Sequence, residues 1–124
     1  MPVIHDELTG KVLRACFEVS NELGTGFLES VYEKSLLIAL VEMGLKAQSQ
    51  VPLKVFYRNK VVGEFYADLV VEGAVLLELK AVRALAPEHV AQVLNYLKAT
   101  GIEVGLLINF GSPKLEFRRF DNRM

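Results

Sequence analysis

The sequence predicts a mixed α/β domain with α+β character, a sheet of parallel and antiparallel strands flanked by helices. Apolar residues first recur at helical spacing, up to Glu42; after Gln50 the period drops from about 3.6 to 2. A second helical stripe, over residues 87–98, then separates two apolar strand segments. Such a crossover places the strands it joins side by side and parallel.

Leu8, Val12, Ala15, Cys16, Val19 and Leu23 recur at three- and four-residue spacing and predict a helix over residues 6–23. Asp6 and Glu7 suit its first turn, where the helix dipole favours acids, and Gly24 is its natural C-cap. A second helix over 27–42 turns Val31, Leu36, Ala39 and Leu40 to a core and ends at Gly44. Val51, Leu53, Val55 and Tyr57 mark a strand, and Pro52 puts it at a sheet edge, because proline cannot donate to a ladder. Arg58-Asn59-Lys60 is a turn, with strands over 61–71 and 74–81 following. Pro87 opens the crossover helix, Val90, Val93, Leu94 and Leu97 form its stripe, and Gly101 closes it. Residues 104–110 read as a strand covered on both faces; in 114–120 Leu115 and Phe117 alternate with Glu116 and Arg118. No repeat or linker interrupts the chain, so residues 1–124 are expected to form a single domain.

The composition, 52% hydrophobic and 23% charged, is that of a folded globular chain. A net charge of -1 gives no global attraction for nucleic acid, which must use a local basic patch or a metal ion. The lone Cys16 excludes an intrachain disulfide and a cysteine metal site, and reads as a small buried hydrophobe. The first seven residues lack a basic segment followed by an apolar run, so no signal peptide is expected. The apolar runs fall far short of the ~20 residues of a membrane span, and a soluble cytoplasmic protein is the expectation. No glycine-rich phosphate loop, serine-histidine-acid set or zinc finger is present.

Asp68 and the pair Glu78 and Lys80, ten residues further on, are the candidates for chemistry, a pattern that is weak by spacing alone. Strict alternation puts Glu64, Tyr66 and Asp68 on one strand face, Phe65, Ala67 and Leu69 on the other, and Leu76, Glu78 and Lys80 together on the next strand. A two-residue loop would separate Asp68 from Glu78, whereas the three-residue loop Glu72-Gly73-Ala74 sets them opposite each other. Gly73 is available for the positive φ such loops use. Two facing carboxylates repel and need a cation; Lys80 compensates weakly, a Mg²⁺ ion far better. A solvated strand face with a Lys-Glu pair is the plain alternative. Asp68 argues against it by interrupting a run where a β-branched residue would serve a structural sheet better.

These residues are flanked by Gly26-Phe27-Leu28-Glu29-Ser30-Val31-Tyr32, Gln92-Val93-Leu94-Asn95-Tyr96-Leu97-Lys98 and Gly105-Leu106-Leu107-Ile108-Asn109-Phe110-Gly111. With them the chain resembles, over nearly its whole length, the GxxExxY proteins of the PD-(D/E)xK, or restriction-endonuclease-like, nuclease superfamily. The signature Asp falls on Asp68 and Glu-x-Lys on Glu78-Leu79-Lys80, while Ala67 replaces the usual proline, which carries no ligand. The resemblance implies a restriction-endonuclease-like core, here a mixed four- to five-stranded sheet flanked by helices, and Mg²⁺- or Mn²⁺-dependent hydrolysis of DNA.

It also implies roles. Asp68, Glu78 and the backbone carbonyl of Leu79 would hold the metal, with Glu29 reaching it through water, and Lys80 would orient or help deprotonate the attacking water. Gln92, Tyr96 and Tyr32 would support those groups; Arg83, Lys98, Arg118 and Arg119 are candidates for phosphate contact. Glu29 as plain helix-dipole charge and Tyr32 as a core aromatic are the structural alternatives. RNA is an alternative substrate to DNA, and a homodimer or partner protein would help a small domain grip a duplex, with Phe117 and Phe120 as candidate interface. The competing function is a silent nuclease fold that binds nucleic acid or a partner protein without cutting.

Overall fold

The computed structural model describes residues 4–122; residues 1–3, part of the stretch read above for a leader, and residues 123–124 lie outside that range. The elements are α1 (Asp6–Leu23), α2 (Glu29–Glu42), β1 (Ala47–Tyr57), β2 (Lys60–Val71), β3 (Val75–Lys80), α3 (Pro87–Thr100), β4 (Val104–Asn109) and β5 (Glu116–Asp121). The strands form one sheet in the order β1-β2-β3-β4-β5. Only β3 and β4 pair in parallel, across the α3 crossover; the other neighbours are antiparallel. It is a mixed five-stranded sheet flanked by three helices.

Two apolar layers hold the sheet. On one side α1 (Val12, Ala15, Cys16) and α2 (Tyr32, Leu36, Leu40) cover Leu69, Leu77, Leu79, Leu106 and Ile108. On the other, α3 packs Val93 and Leu97 against Leu76, Leu107 and Phe120. Gly105 lets α3 come close, since a Cβ there would lie 2.7 Å from Val93. Burial pushes the Cys16 thiol up to about 12, as befits a packing residue. Among the described residues no helix is long and apolar enough to cross a membrane.

Several local expectations change. α2 begins at Glu29, not Phe27, because Gly26 takes φ 107 and Leu28 is extended. Its core stripe runs through Tyr32, with Val31 only partly covered. β1 starts four residues early, since Ala47 and the polar Gln48 and Ser49 pair with Val71, Val70 and Leu69. Phe120 is buried under α3, while Phe117 stays 41% exposed with its ring edge-on to Phe17. The former is core rather than interface.

The β2–β3 loop takes the three-residue form, with Val71 opposite Val75 and positive φ at both Glu72 and Gly73. Strict alternation along β2, however, fails at Asp68. Leu69 and Val71 join the α1/α2 layer, whereas Ala67 joins the α3 layer beside Val51 and Leu53. The ladder skips the Gln50–Asp68 step, and Gln50 has φ 51, in the left-handed region. At that step the long β1–β2 hairpin exchanges its two faces, and β2 pairs with β3 only from Leu69 to Val71. The sheet therefore opens a fork beside Asp68.

Candidate active site

Glu78 follows the apolar buried run Val75, Leu76 and Leu77 and is itself only 2% exposed. A carboxylate taken from water without a full set of partners is strongly disfavoured. Burial pushes its carboxyl up to about 9, and the hydrogen bond and negative charge of Asp68 push the same way; the Lys80 ammonium opposes them. Glu78 Oε1 is buried without a hydrogen-bond partner.

Asp68 Oδ2 accepts the backbone N–H of Leu79 at 2.8 Å. In an antiparallel pair a residue turns its N–H and C=O to the same side. The Leu79 carbonyl therefore opens into the fork, while the Lys80 carbonyl accepts from Phe110 on the β4 side. The Lys80 ammonium donates to Gln92 Oε1 at 2.8 Å, and Gln92 Nε2 donates to the Tyr96 hydroxyl at 3.2 Å. Tyr96 sits in the α3 layer rather than off the helix's apolar stripe. Burial raises its pKa; Gln92 lowers it, and the charges of Glu78 and Asp68 raise it again.

Two further residues join the cluster. Gln50 Nε2 donates to Glu33 Oε1 at 2.7 Å and approaches Asp68 Oδ1 at 3.5 Å. Burial raises the Glu33 pKa, Gln50 opposes, and Asp68 and Glu29 raise it further. Glu33 was legible as the residue one turn beyond Glu29 on the same helix face. Nothing in the sequence pointed to Gln50, whose place depends on a left-handed backbone inside a strand.

The remaining candidates are placed differently. Glu29 is exposed in the first turn of α2, and its charge reaches the fork through Glu33. Tyr32 is fully buried, stacks on Phe110 at 4.6 Å, donates to the Gly24 carbonyl at 2.6 Å and accepts from the Phe27 N–H. It fastens the loop before α2 instead of a carboxylate. Arg119 donates to the Ile4 carbonyl and lies 3.9 Å from Asp121, on structural duty. Arg83, Lys98 and Arg118 are exposed, with Arg118 over the Phe120 ring.

One unforeseen residue steadies the end of β3. Asn109 is fully buried; its Oδ1 accepts from Val82 and Gly111, and its Nδ2 donates to the Val82 carbonyl and to Glu116. A polar residue closing the apolar run of β4 was its only sequence signal.

Among the described residues no three His, Cys, Asp or Glu side chains converge as a ready-made metal cage. The acids at the fork come as the pair Asp68 and Glu78, with the Leu79 carbonyl beside them. Carboxylate and carbonyl oxygens are the donors a hard divalent cation takes, and the unpartnered Glu78 Oε1 fits such an ion.

The family model of the PD-(D/E)XK nuclease superfamily matches residues 6–120. The chain belongs to that superfamily. The matched span includes Asp68, Glu78 and Lys80, the residues gathered at the fork. The crystal structure of SSO0001 is similar in fold, with a TM-score of 0.60 at 18% identity over 74% of this chain and 48% of that one. The chain thus spans about half the length of that relative. No match is found among curated proteins.

Proposed function

We propose that the fork is the active centre of a Mg²⁺- or Mn²⁺-dependent nuclease that hydrolyses phosphodiester bonds of DNA. The observation that carries this reading is Glu78: a buried carboxyl with an unpartnered oxygen, held against a second carboxylate. A purely structural sheet gains nothing from that arrangement. Asp68, Glu78 and the Leu79 carbonyl would hold the ion. When bound, it supplies Lewis acidity towards a phosphoryl oxygen and a more acidic water. The chain's own residues do the rest. Glu78 would hold the ion as a carboxylate, in its deprotonated form. Lys80, fixed by Gln92, presents its ammonium to the attacking water or to the charge gathering on phosphorus. Water forms a new P–O bond, the P–O bond to the leaving sugar oxygen breaks, and that oxygen takes up a proton.

The test compares wild type with Asp68→Ala and Lys80→Ala on linear, single-stranded, branched and flapped DNA, and on RNA, with Mg²⁺ or Mn²⁺. Cleavage confined to wild type supports the assignment. Equal residual cleavage in all three proteins means contamination and sinks it. Saturable binding without cleavage moves the chain to the class of silent nuclease folds.

A further inference from the structure

We propose that the groove between α3 and the outer half of the β1–β2 hairpin holds an unpaired nucleic-acid strand, its bases stacked on Phe56 and Phe65 and its phosphates beside Lys54 and Lys98. The proposal rests on the nuclease reading and adds the substrate class, a single strand or flap rather than intact duplex.

Beyond Asp68 the hairpin has left β3, so α3 faces it across a groove of ≈ 730 Å³. That lies within the roughly 300–1,000 Å³ that enclose a ligand of drug size, the scale of a nucleotide or two and too small for a duplex. Phe56 is 60% and Phe65 44% exposed on the groove wall. Neighbouring aromatics left in water mark a binding surface rather than a core. A Cβ on Gly63 would lie 2.8 Å from the Phe65 ring, so glycine there leaves room for the ring to settle over the strand. There it sits 5.8 Å from the Tyr96 ring.

The groove is continuous with the fork. Its lining includes Gln92 and Tyr96, which are linked to Lys80. A strand stacked on Phe65 is therefore led towards Asp68 and Glu78. Lys54 and Lys98 on the lining outnumber the single Glu88, which favours an anionic occupant. Because the whole chain carries a net charge of -1, stacking must supply most of the affinity. Two lysine–phosphate contacts correspond to a shallow salt slope of about -1.4 for a single strand.

The test measures fluorescence anisotropy in EDTA with a labelled single strand of about ten nucleotides, as DNA and as RNA, beside a blunt hairpin duplex. Wild type should bind the single strand at least about tenfold more tightly than the duplex. Loss of one stacking ring should weaken binding about 5- to 100-fold in Phe56→Ala, Phe65→Ala and Phe56→Leu, while Phe56→Tyr restores it. The leucine variant keeps apolar bulk without a π-face and guards against mere misfolding, with thermal melts run alongside. Unchanged binding in Phe56→Leu, or duplex bound as tightly as single strand, overturns the proposal. So does a concentration-dependent dimer abolished by Phe56→Ala, which would make a second copy the occupant. Cleavage of DNA with Mn²⁺ that ignores Phe56 would sink the groove and spare the nuclease reading; Phe56-dependent binding without cleavage would do the reverse.

Discussion

The Asp68 carboxylate accepts the Leu79 N–H at 2.8 Å one residue before β2 begins to pair with β3 at Leu69. A side chain thus takes over a hydrogen bond that a strand would otherwise supply. The same residue closes the torn ladder and faces Glu78, so its charge and its acceptor role can be separated by substitution.

Asp68→Asn keeps a carbonyl oxygen for Leu79 but removes the charge. Metal-free, it should gain stability over wild type only as the pH rises towards about 9, where Glu78 loses its proton and the Asp68 charge would repel it. Asp68→Ala should lose about 1–3 kcal/mol by leaving that N–H without its partner. Both should lose Mn²⁺ binding in calorimetry, and wild-type affinity in the asparagine variant would refute the site. Urea melts read the stability difference.

The pH dependence of the metal-free protein follows from Glu78. An ordinary glutamate titrates near 4.5 and this one at about 9, so between those values the native state keeps a proton that the unfolded chain has released. The unfolded state then binds fewer protons, and stability falls as pH rises through that window. Below it both states hold the proton and Glu78 adds no slope. Melting temperatures from pH 5 to about 9 should fall in wild type and fall less in Glu78→Gln. Added Mn²⁺ should recover more stability at the alkaline end.

Gln50 tests whether the link between α2 and the fork matters. Gln50→Ala removes the amide that joins Glu33 to Asp68 and should weaken Mn²⁺ binding about tenfold. Gln50→Gly should lose the same affinity yet fold at least as well as the alanine variant, since glycine adopts φ 51 freely. Equal affinity in wild type and both variants would make Gln50 a mere strand residue.

Glu33→Gln should change Mn²⁺ affinity more than Glu29→Gln, because Glu33 is bonded to Gln50 and interacts directly with Asp68. Neither should destabilise the metal-free fold by more than about 1 kcal/mol, the scale of a first-turn charge. A larger effect from Glu29, measured in parallel titrations, would reverse that ranking.

Gly111→Ala should cost at least about 1–3 kcal/mol, the usual penalty of overpacking. Its Cβ would fall 2.2 Å from the Val82 carbonyl oxygen, and backbone cannot swing aside as a side chain does. Chemical denaturation measures the loss. Since Val82 follows Lys80 by two residues, cleavage should drop as well, even where the variant remains folded.

Periodicity determined the element order and the parallel crossover, and Pro52 the edge position of β1, because apolar spacing and a missing N–H are local properties of a chain; the three-residue loop was one of two that the sequence permitted. Asp68, Glu78 and Lys80 were legible as a spacing whose meaning the family resemblance supplied, and Gln92 through that resemblance alone. What the tertiary structure decided was how those residues meet. The face exchange at Gln50 and Asp68 requires a left-handed residue opposite a skipped pair, which no alternation pattern announces. The strongly raised pKa of Glu78 requires burial by two layers distant in sequence, and Tyr32 became a loop fastener only once Gly24 and Phe110 came beside it. Local spacing specifies elements, but desolvation and charge coupling are sums over neighbours that only the folded chain assembles.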